Sequence, residues 1–190
     1  MGLRNLIRKF SLQAFASMSS KKTSTITFRI DEKYEKALRK ESENKKISLN
    51  VLANQIFGEY TEFQQSMKKF GTIHMSKNAL SLILKSIDEN KVIELATQIG
   101  SKEPKDFILF KWKQVDSEKI AKFIQMYFEY CGYGVCEIEN ENQVNSLSVH
   151  HDLGKKGSVF LQYFLKALVQ STLDIEPDIV ITENSISMKF

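Results

Sequence analysis

Two cysteines, Cys131 and Cys136, are all that the 190 residues contain. That is too few for a disulfide scaffold and fits a reducing cytoplasm, where we expect the protein to reside. No apolar run approaches the roughly 18 residues that a membrane-crossing helix requires, so no membrane association is expected. The sequence also lacks a Ser, His, Asp set, paired carboxylates and a nucleotide-binding glycine motif. We therefore expect no catalytic residues, no cofactor and no enzyme. What is present, 42% hydrophobic and 26% charged residues, is ordinary for a globular protein with room for one or two domains.

Bulk positive charge is lacking as well, once the net +4 is located. Residues 1–22 hold Arg4, Arg8, Lys9, Lys21 and Lys22 with no acid, which leaves the rest of the chain at −1. Any claim to nucleic-acid binding must then rest on geometry rather than on net charge. The basic, acid-free start has three readings: an organellar presequence, a segment lying on an anionic membrane surface, or a stretch preceding a true start at Met18. The third, or a dispensable tail, is the expectation for residues 1–17. Leu6 breaks the myristoylation pattern.

The most informative stretch runs from Lys21 to Tyr60. In Thr25-Ile26-Thr27-Phe28-Arg29-Ile30 the apolar residues alternate with polar ones, which predicts a strand with one apolar and one hydrogen-bonding face. Asp31 offers a helix N-cap, and Tyr34, Ala37, Leu38 and Glu41 give the helix behind it a narrow stripe. After a polar turn around Glu43-Asn44-Lys45-Lys46, Ser48 is a second N-cap candidate. Leu49, Leu52, Ala53, Ile56, Phe57 and Tyr60 then keep helical spacing with a wide apolar face. A strand and two helices of this size cannot bury enough surface alone, so a second copy is expected.

The residues T-I-T-F-R-I-D, the polar turn and I-S-L-N at the second helix start resemble the ribbon-helix-helix family, the class of the methionine and Arc repressors, over residues 23–63. The resemblance implies an intertwined homodimer whose two strands form an antiparallel ribbon in the major groove of double-stranded DNA. It places the base-reading positions on Thr25, Thr27 and Arg29, and the phosphate clamp on Ser48, Leu49 and Asn50. The chemistry suits these roles: arginine can contact guanine with two bonds, threonine can touch base edges, and a helix N-terminus presents N–H groups to phosphate. Lys21 and Lys22 add phosphate contacts from a flexible arm, which makes binding salt-dependent.

A polar junction, residues 64–76, is expected to link this segment to an α+β domain over residues 77–190 that mediates oligomer contacts or senses a ligand. There the spacing predicts two short helices over 77–99 ending at Gly100, a strand at Phe107 to Trp112, and a helix from Ser117 to Cys131 stopped by Gly132. A hairpin over 134–150, a helix from Lys155 to Leu173 and two final strands around Asn184 complete the pattern. The segment VHHDLGKKGSVFLQYFLKAL and the ending SISMKF resemble an uncharacterised domain found behind ribbon-helix-helix segments in archaeal proteins, which implies no activity.

Three features of this half have chemistry to weigh. His150, His151, Cys131 and Cys136 are metal-ligand types, but adjacent histidines on a strand point to opposite faces and Cys-x4-Cys is not zinc-knuckle spacing, so no metal is expected. Asp152 reads as an N-cap. Lys155, Lys156, Gly157 and Ser158 at a helix start form a candidate anion site. The aromatic inventory (Phe110, Trp112, Phe123, Tyr127, Phe128, Phe160, Tyr163, Phe164) reads as core that can also enclose an apolar cavity for a small ligand. The expected function is a homodimeric, sequence-specific transcription regulator. The alternatives are an antitoxin-type autoregulator whose C-terminal domain binds a protein partner, and a small-molecule-binding protein that uses the ribbon only to dimerise.

Overall fold

The computed structural model describes residues 22–141 and 144–190, so Lys21 and the readings of residues 1–17 lie outside the described residues. The chain divides into two units, the first ending at Leu52 and the second running from Ala53 to Phe190.

In the first unit, residues 22–31 have no regular secondary structure, and α1 (Glu32–Asn44) is the first element. The strand expected at 25–30 is not formed, and this corrects the expected N-terminal ribbon-helix-helix fold. The strands of the described chain all lie in the C-terminal part and pair with one another. The reason is that a strand is maintained by ladder hydrogen bonds to a neighbour. Alternation supplies two faces but no neighbour. The class remains α+β, with the helices first and the sheet last.

Asp31 precedes α1 in extended backbone (φ −62°, ψ 139°) but makes no side-chain cap bond. The helix is solvated and laced by the i,i+4 pairs Glu32–Lys36 and Glu41–Lys45. α2 (Leu49–Glu59) starts as expected behind Ser48, whose Oγ accepts the Val51 N–H at 3.2 Å. Within residues 22–52, Leu52 is the one buried apolar side chain.

The second unit holds the core. α2 continues through a π turn at Tyr60–Gln64 and a 3-10 turn that ends at Phe70, where Gly71 takes the left-handed conformation at φ 70°. The stretch expected as a linker is thus helical as far as Phe70, and Phe63 and Met67 enter the core. α3 (Lys77–Ser86) is capped by Ser76, α4 spans Glu89–Trp112, and α5 (Ser117–Cys131) runs from the Asp116 cap to Gly132 at φ 67°. Then follow β1 (Gly134–Glu141), β2 (Val144–His151), α6 (Gly154–Leu173), β3 (Asp178–Ile181) and β4 (Ser185–Lys189).

Two expectations are corrected within α4. Phe107 to Trp112 is helix rather than strand, because a compact apolar run is equally a buried helix turn; Phe107 and Ile108 are buried. Gly100 does not stop a helix. A Cβ at this position would fall 2.3 Å from the Phe164 carbonyl oxygen, so the missing side chain lets α4 pack directly against α6.

The sheet is antiparallel throughout, in the order β1-β2-β4-β3. Its period of two sends Leu147, Val149, Ile186 and Met188 into the core beneath the helices, while Ser146, Ser148, Ser187 and Lys189 face outward. The edge strand β1 exposes Glu137, Glu139 and Glu141. Among the described residues, no helix is long and apolar enough to cross a membrane.

Candidate functional sites

The DNA-contact candidates lie in the first unit. Thr25, Thr27 and Arg29 are exposed on one parity of residues 22–31, with Lys22 exposed ahead of them. Ser48 and Asn50 are exposed at the start of α2 and Leu49 is half-buried. The first intrahelical backbone bond there runs from the Leu52 N–H to the Ser48 carbonyl, so the α2 terminus retains the partial positive charge of a helix start.

The candidate anion segment at 155–158 is engaged mostly by the fold itself. Lys156 Nζ donates to the carbonyls of Lys85 and Ile87, closing the end of α3. Ser158 is fully buried, and a Cβ on Gly157 would meet Leu153 Cβ at 2.2 Å. Lys155 alone of the four is exposed. Asp152, expected as the α6 cap, instead pairs with Lys77 at 3.4 Å, and the Asn184 side-chain oxygen accepts the Gly154 N–H at 3.0 Å.

His150 is exposed and His151 buried, as opposite faces of a strand require. The buried His151 contacts Ser158, a pairing that invites comparison with nucleophilic dyads. Its wiring runs the other way. The Leu153 N–H donates to His151 Nδ1 at 3.2 Å, which leaves the ring proton on Nε2. Nε2 then donates to Ser158 Oγ at 3.0 Å, and the Ser158 hydroxyl donates to the Glu183 carbonyl at 2.8 Å. A histidine that donates to the serine cannot take its proton. Burial lowers the His151 pKa from its ordinary 6.5, with the neighbouring Asp152 charge opposing, so the neutral ring is the stable one.

Cys131 and Cys136 are free thiols, and the surrounding protein pushes both up to about 12, although Cys131 keeps an exposed edge. No group of three or more His, Cys, Asp or Glu side chains placed to hold a metal occurs among the described residues.

The second unit also contains a cavity of about 600 Å³. The helical stretch ending at Phe70, the loop 71–76, and parts of α3, α4, α5 and α6 enclose it. Tyr127 stands at the centre of its aromatic wall, near-parallel to Phe123 (centroids 5.3 Å apart, 24°), Tyr133 (5.3 Å, 26°) and Phe164 (5.6 Å, 17°). The Tyr127 and Tyr133 hydroxyls lie 3.4 Å apart. Sequence reasoning found Phe123, Tyr127 and Phe164 but passed over Phe63, Met67 and Phe70, which also line it. Their signal was available: positions 63, 67 and 70 hold helical spacing straight through the polar junction.

Neither a family model nor a curated protein matches this chain.

Proposed function

We propose that the chain is a sequence-specific DNA-binding regulator of transcription, acting in the cytoplasm as a homodimer through residues 22–52. The observation that carries this reading is an imbalance. That stretch buries Leu52 alone among its apolar side chains, while Ile26, Ile30 and Tyr34 stay 67%, 52% and 55% exposed. Apolar side chains left this exposed favour burial against a second copy. With Ile26 and Ile30 covered in this way, Thr25, Thr27 and Arg29 stay exposed and available to DNA. The resemblance of residues 23–63 to a DNA-binding family supports the same assignment.

Arg29 takes the principal base contact, because its planar fork matches the two acceptors of guanine in the major groove. Thr25 and Thr27 contact adjacent base edges. Lys22 and the α2 start, with Ser48, Leu49 and Asn50, hold phosphates and set the register. Because the chain outside residues 1–22 carries almost no net charge, non-specific attraction is weak and specificity depends on these few contacts.

Selection of bound fragments from random DNA with the purified chain tests the reading, and a recurring enriched site is the expected outcome. Arg29→Ala should weaken binding to that site by about 10- to 100-fold, the usual worth of a bidentate base contact, with the dimer intact in sedimentation. Failure to enrich any site, or undiminished affinity of the variant, ends the proposal.

A further inference from the structure

The cavity in the second unit has no part in DNA contact, and its volume of about 600 Å³ falls in the range of sites that hold small organic molecules. Three properties define what it can hold. The first is shape. Tyr127 and Tyr133, both half-buried, stack at 26°, with the buried Phe123 and Phe164 near-parallel to Tyr127, and a flat ring extends such a stack better than a branched aliphatic group does.

The second property is charge. The acidic and basic side chains on the lining, Glu103, Lys77 and His74, are all exposed, and Lys77 is already near Asp152 at 3.4 Å. Glu103 is the lining charge that acts on the Tyr127 and Tyr133 hydroxyls, and no buried cation offsets it, so a negative charge on a ligand would go unpaired. The third is a polar anchor within the aromatic wall. The two tyrosine hydroxyls carry two hydrogens, and their mutual bond uses one. The other can be donated to an incoming acceptor. Burial raises both phenol pKa values, so both hydroxyls stay protonated.

We propose that this cavity is a binding site for planar aromatic molecules that carry no negative charge and bear a hydrogen-bond acceptor, with the acceptor met by the Tyr127–Tyr133 hydroxyl pair. The exposed loop 71–76, which carries Ile73 and Met75 at the rim, supplies apolar cover on the solvent side. The site lies wholly within the second unit and stands whether or not the first unit binds DNA.

The test uses the full chain and three probes: quinoline (neutral, with an acceptor), naphthalene (neutral, without one) and naphthalene-2-sulfonate (anionic). Quenching of Trp112, whose ring lies 6.2 Å from that of the cavity residue Phe107, reports affinity. Methyl NMR shifts at Met67 and Leu80 report location. The expected order is quinoline, then naphthalene, then the sulfonate. The double variant Tyr127→Phe/Tyr133→Phe, which keeps ring packing, should weaken quinoline about tenfold and leave naphthalene unchanged, the effect of one lost hydrogen bond. Absence of saturable binding by the neutral probes, preference for the sulfonate, methyl shifts confined to the outer sheet face, or equal loss of both neutral probes in the double variant would each overturn the proposal.

Discussion

Residues 22–52 carry fewer apolar side chains than residues 53–190, and they use those they have in the opposite way. The first unit has periodic apolar positions but retains only Leu52 in the interior. The second closes Phe123, Phe128, Ile108, Leu161 and Leu165 between helices and sheet with almost no exposure. The difference lies in closure as well as in composition. A core forms where elements from distant parts of the chain can cover one another, as α4 and α6 do. A short extended segment and two helices have nothing within the unit to cover them.

The comparison is sharpened most by emptying the larger core. Phe128→Ala should cost about 3–5 kcal/mol, enough to consume much of a domain's stability, read as a lower denaturation midpoint by circular dichroism. Gly100→Ala comes next, at about 1–3 kcal/mol, because its methyl must push the Phe164 backbone away. A variant with unchanged stability would show that α4 and α6 do not approach as closely as described.

Acid produces a smaller and graded loss. His151 has a folded pKa below its ordinary 6.5, so the unfolded chain binds the extra proton first as the pH falls. Stability contributed by this residue is complete above that value and declines as the pH drops through it toward the folded pKa. His151→Gln should flatten that part of the profile, measured as denaturation midpoint against pH. The smallest effect on the second unit is expected from Ile26→Ser/Ile30→Ser, which should leave its denaturation midpoint unchanged while abolishing the proposed dimer in sedimentation. A lowered midpoint would break the comparison by showing that the first unit contributes to the second unit's stability.

Much of the second unit was legible in the sequence because each signal was local and complete. Gly132 stops α5, Asn184 marks the turn before β4, and alternation fixes β2, whose partners are all supplied by the same chain. Errors arose where one local signal has two physical outcomes. Gly100 was read as a stop although glycine serves equally for close helix contact, and Phe107 to Trp112 was read as a strand although it continues a helix. The segment 25–30 failed for a different reason: its alternation is real, but pairing depends on a neighbour that the sequence of one copy cannot specify. Of the candidate sites, Lys156 and Ser158 illustrate the same limit. Their residue types suit an anion, while their bonds to the end of α3 and to His151 emerge only once distant elements meet.

The outer edge of the sheet bears on how the protein behaves in company. An edge strand presents unpaired backbone groups that can recruit strands from other molecules. On β1 three carboxylates, Glu137, Glu139 and Glu141, stand along that edge. Two copies approaching edge to edge bring these like charges close, so mutual repulsion opposes the first step of filament growth. Crowded solutions should therefore stay clear, and replacing the three glutamates by glutamine should turn the same edge into a nucleus for fibres.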